Sequence, residues 1–226
     1  MSRAIIRVSS AMVKQGGRTR AAARGPVALL PASLGPKIVR SRTLGELDTL
    51  LVAMPASAGR ESLAALPEAE RWRGLLEREA PQPLSVRTTT LANRRQTQAV
   101  LGFLPDAPSM FERLQLAGRM LKSAAARTPR AVGLVALGAS AARAAGLEAL
   151  LAATLAEHFP LPSFKSAAAA AAALERIVLP ADPPLDTRYA KICADGTNLA
   201  RWLTALPPNM LDARGYRRVL GELARR

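Results

Sequence analysis

The chain has 226 residues, of which 49% are hydrophobic and only 4% aromatic, with a formal charge of +15 and one cysteine. That length suffices for a substantial core, which alanine and leucine must fill for want of aromatic anchors. A single cysteine excludes an intramolecular disulfide, and with no apolar run of about 18 residues no transmembrane helix is indicated.

The charge is unevenly spread. No acidic residue precedes Glu46, while Arg3, Arg7, Lys14, Arg18, Arg20, Arg24, Lys37, Arg40 and Arg42 are all basic, so nine of the fifteen excess charges sit there and +6 remains for the other 181 residues. Residues 1–44 therefore read as a basic, poorly ordered leader. Up to Arg24 the composition matches an organellar transit peptide, a disordered basic leader or a start codon chosen too far upstream. Such a leader can neutralise phosphates without reading sequence, but aromatic interleaving and a recognition helix are both missing. Nucleic-acid binding is expected to be non-specific at most.

Val27 to Pro31 and Lys37 to Arg40 are short apolar pieces bounded by Gly-Pro pairs, readable as an edge strand or ordered loop. Thr49 to Met54 is a continuous apolar run of the kind buried on both faces of a sheet, and is expected to open the folded domain. A helical turn is predicted at Glu61 to Leu66, then a helix from Glu68 to Arg78 with Trp72, Leu75 and Leu76 inward. Ser85 to Thr90 and Gln96 to Leu104 are rich in β-branched and apolar residues and flank Asn93-Arg94, which predicts an antiparallel hairpin.

Ser109 is placed to cap a helix from Met110 to Arg127, with Phe111, Leu114, Ala117, Leu121 and Ala125 on its inner face. A buried strand follows at Ala131 to Leu137, then a helix capped by Ser140 through Ala156, and a last strand at Ile177 to Leu179. Strand and helix alternating with short connections predict an α/β fold, a mixed sheet flanked by helices. The polyalanine run Ala167 to Ala173 reads as a surface helix or loop, since alanine favours helix but buries little. From Tyr189 to Leu206 a long linking helix is expected, with Tyr189, Ile192, Cys193, Gly196, Leu199, Ala200, Leu203 and Leu206 as its buried face. Pro207-Pro208 ends it, and Asp212 caps the next helix.

No catalytic constellation emerges. His158, the one histidine, stands near a helix C-terminus, where a cation is favoured, and lacks partners for metal ligation. Glu68, Glu70, Glu77 and Glu79 alternate with basic residues on a solvated surface, and Asp182 and Asp186 flank a proline turn. The turn from Ala136 to Ser140 has one glycine, far from a phosphate-binding loop.

Asn198-Leu-Ala-Arg201, Pro207-Pro-Asn209, Leu211-Asp-Ala-Arg-Gly-Tyr216 and Leu223-Ala224 resemble the segment joining the two halves of the leucine aminopeptidases, the cytosol aminopeptidase family. Departures are Trp202 and Thr204-Ala205-Leu206. The resemblance implies an N-terminal α/β domain over 45–184, a linking helix over 185–206, and the start of a metal-binding catalytic domain over 207–226. It implies a complete enzyme that removes N-terminal residues from peptides with two divalent ions, zinc or manganese, as a cytoplasmic hexamer. This chain would supply no metal ligand and no catalytic residue. Leu199, Trp202, Leu203 and Tyr216 are its expected interdomain or oligomer contacts. The alternative is an inert scaffold or interaction protein derived from that family, and an organellar location if the leader is a transit peptide.

Overall fold

A computed structural model describes residues 26–225 except 32–34, 45–46, 78–79, 163 and 165–173. The leader up to Arg24 and the polyalanine run lie outside the described residues. Six strands form one sheet: β1 (Lys37–Ser41), β2 (Thr49–Pro55), β3 (Val86–Thr90), β4 (Gln98–Leu104), β5 (Ala131–Ala136) and β6 (Arg176–Pro180). Their order is β1-β6-β5-β2-β4-β3. Among the described residues five α-helices accompany them: α1 (Ala69–Glu77), α2 (Met110–Ala124), α3 (Ser140–Glu157), α4 (Thr187–Ala205) and α5 (Ala213–Leu223).

Only β3 is antiparallel to its neighbour, running from Val86 opposite Gly102 to Thr90 opposite Gln98, as the hairpin expectation requires. The other pairs are parallel. β2 and β5 lie at the centre, which is why both read as unbroken apolar runs: each is covered on two sides. Alternation along β2 divides the core. Leu51 and Ala53 join Leu116, Met120, Leu147 and Leu151 of α2 and α3, while Leu50, Val52 and Met54 join Trp72 and Leu75 of α1. Gly102 lets α2 approach β4 closely, since a Cβ there would lie 2.5 Å from the Met120 sulfur.

Several expectations are corrected. The sheet begins at β1, before Thr49, and β1 is an edge strand paired with β6 from Lys37 opposite Arg176. Of the two readings of the piece from Val27, edge strand or ordered loop, the 3-10 turn at Pro26–Leu29 fits the loop. Ser109 does cap α2, in a capping box with Glu112, but the inner face is Leu116, Ala117, Met120, Leu121 and Ala124. Phe111 is 73% exposed because it sits in the first turn, ahead of the stretch that meets the sheet. The cap of α3 is Ala139, with no side-chain bond; Gly138 before it has φ +115°, a conformation that favours glycine, and sets the turn out of β5.

The chain falls into two compact units. The larger holds the sheet and α1 to α4, and the smaller holds the 3-10 turn at Pro26–Leu29 and α5. In the smaller unit Asp212 caps α5 as expected, its carboxylate accepting from the Gly215 amide at 2.6 Å.

Candidate functional site: helix α4

Three of the four expected contact residues, Leu199, Trp202 and Leu203, lie on α4, so its seating decides what they can do. Asp186 starts the helix by accepting from the Tyr189 amide at 2.9 Å, satisfying one of the unpaired donors of the first turn. The inward face is small and polar as far as Asn198 and ends on one large side chain, Trp202. Ala190 and Asn198 are buried, Ala194 packs partly against the core, and Trp202 is fully buried, a spacing of four residues throughout. Ala152 and Ala156 of α3 line the groove beside Ala190 and Ala194, and these short side chains permit close approach of the two helices.

Two polar side chains lock this arrangement. Asn198 donates to the Leu155 carbonyl at 3.0 Å, and Arg201 donates to the Ala156 carbonyl at 2.6 Å and to the Asn198 side-chain oxygen at 3.0 Å. Those carbonyls belong to the last turn of α3, where acceptors lack intrahelical partners and a cation meets the negative end of the helix dipole. Asn198 and Arg201 are the first residues of the joining motif. Their structural task in this chain is to bolt α4 to the end of α3.

Leu206 is buried as expected, but the rest of the face read as buried from the sequence is the outer one. Tyr189 is 62% exposed and Ile192 60%, and Cys193, Gly196 and Ala200 are exposed as well. Apolar periodicity points to that face, but the hydrogen bonds of Asn198 and Arg201 turn the opposite one inward. The Cys193 thiol beside Tyr189 raises the tyrosine's pKa. Of the four expected contact residues, Leu199 and Leu203 are half-buried at the edge of this stripe and Trp202 is enclosed. Tyr216, on α5, is 43% exposed.

His158 closes α3 at its C-cap. Burial lowers its pKa, and Glu157 only partly offsets that effect, so the imidazole is neutral at pH 7 rather than the helix-end cation expected from sequence. Among the described residues no three His, Cys, Asp or Glu side chains converge as a metal site. No described helix is long and apolar enough to cross a membrane.

No family model matches the sequence, nor does any curated protein. Solved structures do match. The apo leucyl aminopeptidase of Trypanosoma brucei aligns over 91% of this chain and 45% of its own, with a TM-score of 0.63 and 13% identity. A tomato leucine aminopeptidase mutant aligns over 80% and 41%, with a TM-score of 0.56 and 16% identity. The Leishmania major leucyl aminopeptidase bound to actinonin aligns over 84% and 40%, with a TM-score of 0.56 and 13% identity. The chain therefore shares the fold of leucine aminopeptidases, and it spans less than half the length of the enzymes it matches.

Proposed function

We propose that this chain is the non-catalytic portion of a leucine aminopeptidase-like metallopeptidase that releases N-terminal amino acids from peptides, and that its part is assembly and substrate access. The shared fold supports the relationship. The outer stripe of α4 carries the assembly role, because large apolar side chains left open to water need a surface to cover them. The described residues do not fit the two divalent ions, zinc or manganese, of the complete enzyme, so we place their ligands elsewhere in the enzyme. An exposed, unpaired Cys193 suits a reducing compartment such as the cytoplasm.

The stripe is suited to a second copy of itself. Counting outward from Gly196, Tyr189 and Leu203 lie equally far on either side, as do Ile192 and Ala200, and Cys193 and Leu199. An antiparallel pair with its two-fold axis at Gly196 thus sets each large residue against a complementary one, the self-matching that an isologous interface requires. Open space where a Cβ of Gly196 would stand allows close approach at the axis. In a hexamer this contact serves as one interface among several.

Sedimentation equilibrium of the full chain tests the reading. Self-association is expected, weakened roughly tenfold or more by Ile192→Glu, which buries a charge at the contact. With Cys193→Ser in the background, Gly196→Cys is expected to form an inter-chain disulfide on mild oxidation, because each copy's cysteine faces the other's at the axis. A 23.9 kDa monomer at every concentration, with no cross-link, would sink the assembly role. Hydrolysis of a leucine amide by this chain with zinc or manganese would sink the non-catalytic one.

A further inference from the structure

Five of the six strands run parallel, so their starting ends share one edge of the sheet, and β3, running the other way, delivers its turn to that same edge. Cations gather there. Lys37 opens β1 opposite Arg176 of β6, Arg130 precedes β5 beside them, and Arg94 and Arg95 stand in the turn before β4. Arg127, just after α2, reaches that turn by donating to the Gln96 carbonyl at 2.6 Å. All six residues are exposed. Two carboxylates stand within the row: Asp48 pairs with Arg95 at 3.1 Å, and Glu175 pairs with Arg130. Glu157 lies beyond Thr128, and Glu68, behind the turn, is taken up by Arg71 and the Ala92 amide. Arg127 bonds only neutral acceptors, the Gln96 carbonyl and the Thr90 hydroxyl, which fix its guanidinium without neutralising it. Arg94 pairs with no carboxylate among the described residues. Arg94 and Arg127 thus add like charge beside Arg95 that no ion pair within the described fold offsets, and a ligand of opposite charge can offset it.

We infer that this row captures acidic peptides, extended stretches of about six residues rich in aspartate and glutamate, and the inference rests on the part in substrate access proposed above. Length supports it. From β1 to β4 the row crosses four strand spacings, roughly 19 Å at about 4.8 Å each, the reach of about six extended residues. Guanidinium forks donate two parallel bonds to a carboxylate, so arginine suits side chains that arrive in varied registers. Composition decides between polyanions. Bases of a single-stranded nucleic acid need aromatic faces to stack on, and no Phe, Tyr or Trp stands among these residues. An unbroken line of phosphates also meets Asp48 and Glu175 in the middle of the row, where a peptide can present an uncharged residue.

The test is fluorescence anisotropy of a labelled hexaglutamate peptide titrated with the full chain at low salt. Saturable binding is expected, and it should weaken as salt rises, because charges on an exposed row are screened. Arg94→Glu with Arg127→Glu should weaken it about tenfold or more. Arg217→Glu with Arg218→Glu, exposed on α5 and equal in charge, should change it less than about threefold. Arg94→Glu alone, at a side chain with no ion pair to lose, should still weaken it about threefold, which keeps the test sound if the double variant misfolds. Absence of saturable binding overturns the inference. Equal losses in the two double variants overturn it too, since the peptide then follows net charge alone. A single-stranded DNA hexamer that binds more tightly than the peptide through Arg94 and Arg127 makes the row a phosphate site and overturns it as well. Hydrolysis is not read in this assay, so its failure leaves the assembly and non-catalytic roles to the sedimentation and leucine amide measurements.

Discussion

A single carboxylate, that of Asp48, ties together the starts of the two central strands. Its oxygens accept from the Arg130 and Ala131 amides at 2.9 Å each and from the Arg95 guanidinium at 3.1 Å. Burial pushes its pKa up, but the two amide bonds and Arg95 outweigh that and hold it below the ordinary aspartate value. Asp48→Ala is expected to cost about 1–3 kcal/mol, because amides at the entry to β5 lose a charged acceptor. In a chain of this size each kcal/mol lowers Tm by roughly 2–4 °C, so calorimetry resolves the change. A Tm within a degree of the unmodified chain's would show that water replaces the carboxylate without loss. Nothing in the sequence points to this residue, since its partners stand 47, 82 and 83 positions away and a lone aspartate before a strand reads only as a turn. Thr49 beside it is legible as a strand residue, yet its orphaned hydroxyl shows only when α2 and α3 are in place.

At the scale of elements, the sequence is legible where burial is two-sided and ambiguous where it is one-sided. The runs of β2, β4 and β5 stand out because nearly every residue meets the core, and β3 stands out by its β-branched Val86, Thr88, Thr89 and Thr90. In α2 and α4 apolar residues occupy more than one side, and the seated side is fixed by partners distant in sequence: Gly102 for α2, and the last carbonyls of α3 for α4. The motif at Asn198 and Arg201 was visible as a resemblance, whereas its work against Leu155 and Ala156 was not. Two substitutions on the same helix separate the faces. Asn198→Ala strips the Leu155 carbonyl and Arg201 of a buried partner and is expected to cost about 1–3 kcal/mol. Ile192→Glu, on the outer face, is expected to change the stability of the dilute chain by less than about 0.5 kcal/mol. Urea titrations of both measure the difference, and the reverse ranking would mean that the large apolar stripe is the buried one.

For the whole molecule, order of elements and fold class follow from the alternation of strand and helix signals, while sheet order does not: β1 and β6 pair at one edge although more than a hundred residues separate them. The same assembled state couples stability to pH in two steps. His158 has a folded pKa below its ordinary 6.5, so the unfolded chain takes up a proton that the folded chain refuses. Stability from this source is complete above about pH 6.5 and declines as pH falls from there toward the lowered value. Asp48 acts further down. Its folded pKa lies below 3.8, so its contribution is present above that value and is lost as pH falls through the folded pKa. Both steps run the same way, and both act on a chain already carrying +15, whose self-repulsion grows as carboxylates are neutralised. Urea midpoints measured from pH 8 to pH 3 should therefore fall in two stages, with His158→Gln removing the upper stage and leaving the lower. Added salt should soften the lower stage more, because screening relieves repulsion among surface charges but not the burial that depresses His158. An upper stage that persists in His158→Gln would assign it to another group and remove the case for a neutral imidazole at the end of α3.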